Sequence, residues 1–218
     1  MNFTQLKKAS AVLMLFASCL VNQASASLIE VQPISYVFDQ STDRGVYEYY
    51  DVTGNKLIDG LYGGDDWRLD LGNGHADEWV GWARKPSVNI DFTLNSHSII
   101  HSVAIGSVQD RTNDVVLPNI FLFSRNSEQD TWSLLAEQLV PESAVNNGFH
   151  YTYNFDGLNI TDQFLRVQAN WSFDGPWTFI DEVDFYTNNI NVPEPSSLAI
   201  WVLGLMGVSV RRFKINEA

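Results

Sequence analysis

Two segments of this chain alternate apolar and polar residues with a period of two, Val88-x-Ile90-x-Phe92-x-Leu94 and Phe149-x-Tyr151-x-Tyr153-x-Phe155. Successive side chains of a strand point to opposite faces, so the pattern fits strands with one buried face and does not fit a helix. Segments 99–105, 120–124, 164–169 and 178–186 are further strand candidates. Between them lie turn-forming pieces: Asp51-Val52-Thr53-Gly54-Asn55, Gly63-Gly64-Asp65-Asp66, Gly72-Asn73-Gly74 and Asn146-Asn147-Gly148. Only a single helical turn is read, near 137–139, and no internal repeat or low-complexity tract is found. Many short strands at this spacing predict an all-β chain, an antiparallel β-sandwich of jelly-roll type.

Both ends carry a different kind of signal. Lys7-Lys8 precede an apolar run, 9–21, and Ala24-Ser25-Ala26 is a small-x-small cleavage site. Together they predict a secretory signal peptide over 1–26, cut between Ala26 and Ser27. Acylation at Cys19 is the alternative; Phe16 fits it poorly. At the other end Pro193-Glu194-Pro195 cannot be helix interior. It is followed by an uncharged run, 196–210, and by Arg211-Arg212-Phe213-Lys214. Roughly 14 residues at about 1.5 Å each span about 21 Å of a hydrocarbon core near 30 Å, so the helix is marginal as a permanent anchor. The basic cluster should stay cytoplasmic. Motif, short span and Arg211-Arg212 together resemble the PEP-CTERM sorting signal of Gram-negative bacteria that make exopolysaccharide. The resemblance covers 191–218. It implies recognition by an exosortase-type transpeptidase, transient residence in the inner membrane through the C-terminal helix, and delivery to the cell surface or extracellular matrix.

The region 27–190 is long enough for one domain with a real core. Cys19 is the only cysteine, so the mature domain has no disulfide, thiolate nucleophile or cysteine-ligated metal. Five of the 13 Lys+Arg and two of the 26 Asp+Glu lie in the terminal signals, leaving 8 basic against 24 acidic residues and a net charge of −16. Such a surface repels nucleic acid and anionic lipid, and it supplies oxygen ligands for hard cations.

Three segments narrow the fold. Lys56-Leu57-Ile58-Asp59-Gly60 comes first, Trp79-Val80-Gly81-Trp82 precedes the strand at 88–94, and Phe164-Leu165-Arg166-Val167 leads to Trp177-Thr178-Phe179-Ile180-Asp181-Glu182-Val183. In this order they resemble the discoidin, or coagulation-factor type C, domains and related carbohydrate-binding modules of the galactose-binding-like fold. Ser124-Arg125-Asn126-Ser127-Glu128 departs from the turn usual in that family. The resemblance implies a structural calcium site made by the carboxylate of Asp59, the carbonyls of Lys56 and Leu61, and the carboxylate of Glu182. The alternative has Asp59 capping its own turn and Glu182 pairing with an arginine such as Arg166.

Sugar recognition needs an aromatic platform and polar groups on loops. Trp67, Arg68, His75, Arg84 and Arg111 lie in or beside the predicted loops and form the candidate carbohydrate-binding set. Trp67-x-Leu69-x-Leu71 also reads as a strand, which would place Trp67 in the core, as expected for Trp79, Trp82 and Trp177. No Gly-x-Ser-x-Gly, His-Glu-x-x-His or phosphate-binding glycine loop is present. His97 and His101 would at most share a strand face. Adjacent strand residues point to opposite faces, so the carboxylate pairs Asp65-Asp66, Asp77-Glu78 and Asp181-Glu182 are not automatically a glycosidase acid and base. The sequence therefore reads as an exported, calcium-stabilised, non-catalytic binder of extracellular polysaccharide. A structural matrix protein without a sugar site, or a small polysaccharide lyase or hydrolase, are the alternatives.

Overall fold

A computed structural model describes residues 27–42, 49–68, 78–95, 99–140, 149–172 and 176–189. The signal-peptide segment through Ala26, the turns at 72–74 and 146–148, His75, His97, Asp77, and the sorting residues Pro193, Glu194, Pro195, Arg211 and Arg212 lie outside the described residues. Residues 28–188 form a compact unit of their own.

Ten strands account for most of that unit: β1 (Ser27–Glu30), β2 (Ser35–Phe38), β3 (Val80–Ala83), β4 (Ser87–Thr93), β5 (Ser102–Gln109), β6 (Pro118–Arg125), β7 (Ser133–Gln138), β8 (Phe149–Phe155), β9 (Phe164–Trp171) and β10 (Trp177–Asn189). The only helical pieces among the described residues are 3-10 turns at Lys56–Ile58 and Arg111–Asn113. One sheet has the order β1-β10-β5-β8, with β3 also paired to β10, and the other runs β2-β4-β9-β6-β7. The pairings with a resolved register are all antiparallel. The two sheets close on a common core in which Val103, Ile105, Ile180, Val183 and Phe185 of the first meet Val88, Ile90, Phe92, Ile120, Leu122, Leu165 and Val167 of the second. This is the all-β antiparallel jelly-roll sandwich that the alternation predicts.

The two sheets differ on their outer sides. In β4 and β6 burial alternates strictly, and in β9 it does so as far as Asn170, as it must when one face packs and the other is wet. β5 is buried along its whole length. The segment 49–68 explains that difference, because it crosses the outer face of the first sheet and buries a second apolar cluster there. That cluster comprises Tyr49, Trp67, Trp79, Val108, Val115 and Phe179.

Three expectations are corrected. The turn near 137–139 is not helical; it falls at the end of β7, an edge strand whose Leu134 and Leu135 both remain exposed. The alternation of β8 does not bury one whole face. Phe149 and Tyr151 are exposed and only Tyr153 and Phe155 reach the core, β8 being the edge of its sheet. Asp181 and Glu182 do not diverge to opposite faces, because β10 shifts register between Ile180 and Val183. Ile180 and Val183 both point inward, leaving the two carboxylates in the bulge between them.

Candidate functional site

Strand β10 carries three buried carboxylates, Asp181, Glu182 and Asp184, within an otherwise apolar stretch. Each accepts a hydrogen bond from the covering segment. The backbone N–H of Gly60 donates to Glu182 Oε2 at 3.2 Å, the hydroxyl of Tyr62 to Asp184 Oδ2 at 2.7 Å, and the N–H of Gly63 to Asp181 Oδ2 at 2.7 Å. Residues 60–63 are thereby fixed along the outer face of β10. Close approach requires glycine at two positions: a Cβ on Gly63 would enter the Trp79 indole, and one on Gly106 would enter the Asp181 carboxylate.

His150 Nε2 lies 2.6 Å from Asp181 Oδ2, and that hydrogen bond raises the imidazole's pKa against the opposing effect of its burial. The other carboxylates have no such partner. Burial, then the charge of Asp184, push Glu182 up to about 8, with Asp59 and Asp181 adding to the repulsion and the Gly60 N–H opposing it. Asp184 is raised chiefly by burial, against hydrogen bonds with Tyr62 and Tyr186, and its Oδ1 is buried with no hydrogen-bond partner among the described residues. Crowded carboxylate oxygens with an unfilled acceptor are the donor chemistry that a hard cation takes.

Asp59 sits on the adjoining turn, where its Oδ1 accepts the N–H of Leu61 at 3.0 Å, so it does cap its own turn. The turn begins at Lys56 and passes through Gly60 with φ +77, a left-handed conformation suited to glycine. Glu182 does not pair with Arg166, whose Nε and Nη2 instead bind the two oxygens of Asp91 at 2.6 and 2.8 Å. Among the described residues no three His, Cys, Asp or Glu side chains are placed to hold a metal ion. A cation at Asp59 and Glu182 would therefore draw on backbone carbonyls such as those of Lys56 and Leu61.

The candidate carbohydrate residues are distributed unevenly. Trp67 is corrected from platform to core: it is 8% exposed, its ring stacks on Phe179 with centroids 5.2 Å apart, and its Nε1 donates to Asp110 Oδ2 at 3.2 Å. Arg68 next to it is exposed and pairs with Asp66 at 3.0 Å. Arg111 opens the 3-10 turn that follows Asp110. That turn is tied to the start of β10, since Trp177 N–H donates to the carbonyl of Asp114 at 3.1 Å. Arg84, exposed at φ +56, follows β3 and donates its N–H to the carbonyl of Pro176 at 2.5 Å. Bonds from Trp67 to Asp110, from Trp177 to Asp114 and from Arg84 to Pro176 thus bring the segments bearing Arg68, Arg111 and Arg84 to one end of the first sheet. His75 lies outside the described residues.

Sequence reasoning gave no site role to Tyr62, His150 or Asp184, and weighed Asp181 only as half of a carboxylate pair. Asp181 and Asp184 did carry a signal, for a charged residue inside an apolar strand has no reason to be there unless something is bound to it.

No protein-family model matches the chain, and no curated protein matches it. Solved structures do. A chain of the Streptococcus pneumoniae beta-galactosidase BgaA matches with a TM-score of 0.52 and 11% identity, over 74% of this chain and 99% of that one. The CBM32 of AlyQ, solved in complex with 4,5-unsaturated mannuronic acid, gives 0.47 and 13%, over 72% of this chain and 97% of that one. A truncated AlyQ with CBM32 and alginate lyase domains gives 0.49 and 13%, over 78% of this chain but 36% of that one. At such identities the likeness is one of fold.

Proposed function

We propose that this chain is an exported, non-catalytic carbohydrate-binding protein whose sandwich domain engages extracellular polysaccharide. The observation that carries the reading is that the segments bearing Arg68, Arg111 and Arg84 meet at one end of the first sheet, through the Trp67–Asp110, Trp177–Asp114 and Arg84–Pro176 bonds, in a domain of net charge −16. Guanidinium donors at that end suit sugar hydroxyls and carboxylates. A hydrolytic role finds no support in Asp181 and Glu182. Both are buried under the 60–63 segment, with no room for a glycosidic bond between them.

In this reading calcium is held by Asp59 and Glu182 with carbonyl oxygens of Lys56 and Leu61, and it neutralises the carboxylates of β10. Export follows the two terminal signals. The signal peptide is removed after Ala26, an exosortase-type transpeptidase acts at Pro193-Glu194-Pro195, and the domain is released from the inner membrane to the surface or matrix of a Gram-negative cell.

Affinity electrophoresis of the full chain in mild detergent, in gels cast with a panel of polysaccharides, tests the binding. Retardation by at least one polymer, reduced in the Arg84→Ala/Arg111→Ala double variant with an unchanged melting curve, is expected. Equal retardation of that variant in every gel would move the site elsewhere. No retardation by any polymer would leave a structural matrix protein as the better reading.

A further inference from the structure

An antiparallel sheet with one face on the core ordinarily turns polar residues outward. The second sheet breaks that rule. In β6, Ile120 and Leu122 enter the core while Phe121 and Phe123 point outward, half-buried. The register sets these rings in rows: Phe121 lies opposite Gln168, itself opposite Asn89, and Phe123 lies opposite Arg166, itself opposite Asp91.

The polar members of both rows are held in place. Arg166 grips Asp91 with two bonds. Gln168 Nε2 donates to Asn89 Oδ1 at 2.9 Å, and Asn89 Nδ2 to Asp39 Oδ2 at 2.6 Å. Trp132 bounds the face, with the guanidiniums of Arg125 and Arg166 each 4.3 Å from its ring centroid. Aromatic rings beside a preorganised amide relay match the two sides of a sugar ring, C–H groups on one and hydroxyls on the other.

We propose that this outer face is a second carbohydrate subsite, taking an electrically neutral polysaccharide. Charge decides between neutral and anionic polymers. The face carries Arg125 and Arg166 against Asp39, Asp91 and Glu137, and Arg166 is already paired with Asp91. A polyanion gains no net attraction there and meets a domain of net charge −16. The inference rests on the carbohydrate-binding reading above and extends it to a site away from Arg84 and Arg111.

Affinity electrophoresis of the full chain in gels of a neutral β-glucan or galactomannan, and of alginate or polygalacturonate, tests it. Phe121→Thr and Gln168→Leu are run beside the Arg84→Ala/Arg111→Ala variant. Retention should be stronger in a neutral gel, and each face variant should weaken it about fivefold, the worth of one aromatic or polar contact. Gln168→Leu decides if Phe121→Thr does not fold, because the Gln168 side chain lies outside the core. Loss of retention in the arginine variant alone would overturn the second subsite and leave the first reading standing. No retention of the unaltered chain would overturn both. Stronger retention in the anionic gels would overturn the neutral ligand. A dimer dissociated by Phe121→Thr, with polymer retention unchanged, would make the face a self-association surface and overturn the proposal.

Discussion

Trp67 and His150 show how a residue's partners set its role. The Trp67 indole is edge-on to Tyr49 at 5.6 Å and stacked on Phe179, with its N–H on Asp110. Truncating so enclosed a ring removes apolar contact and opens a cavity, costing about 3 to 5 kcal/mol. Trp67→Ala should therefore lower the melting temperature by many degrees. Trp67→Phe, which loses the Asp110 bond but keeps most of the packing, should cost much less; a melting curve unmoved by Trp67→Ala would return the residue to the binding surface. His150 and Glu182 make a second prediction. The hydrogen bond to Asp181 raises the first pKa, and burial with Asp184 raises the second to about 8. Each group binds its proton more tightly folded than unfolded. Its contribution to stability is complete below the unfolded value, 6.5 for His150 and 4.5 for Glu182, and is lost as pH rises through the folded value. The metal-free domain should melt at progressively lower temperature between about pH 5 and pH 9, and His150→Gln should remove part of that slope. A melting temperature that is flat or climbs across the window would contradict both assignments.

Elements that turn one face to the core could be read directly from the sequence, because alternation is the imprint of that geometry. β4 and β9 are the clearest cases, their outward residues polar apart from Phe164 and their inward ones apolar. Edge elements could not be read so well. β1 and β2 have four residues each, too few for a period to emerge, and β7 places two leucines side by side in solvent. The bulge in β10 left no pattern at all, since a register shift is fixed by what covers the strand, and here the cover is a segment about 120 residues earlier in the chain, Gly60 to Gly63. For the same reason the arginines could be named from composition and turn position, while the anchoring roles of Tyr62 and Asp184 required the fold.

At the scale of the molecule, the domain must hold an early loop against its last strand without a disulfide. The bonds from Gly60, Tyr62 and Gly63 to β10 do this, but they leave buried carboxylates facing one another with His150 as the cationic partner of Asp181. Calcium bridging Asp59 and Glu182 would cancel that repulsion and bind only the folded chain. A ligand at a hundredfold over its dissociation constant adds about 2.7 kcal/mol to folding stability. Chelator should therefore lower the melting temperature of protein purified with calcium, and Asp59→Ala should abolish the difference. The size of the calcium effect should also depend on pH. Glu182 must lose its proton to coordinate, so the increment should be small in acid and grow as pH approaches and passes about 8, opposing the decline of the metal-free form. Melting curves with calcium and with chelator should then converge at low pH and separate at high pH. Superimposable curves at every pH, on protein verified as metal-free by elemental analysis, would leave the three hydrogen bonds as the whole of the clasp and remove calcium from the molecule.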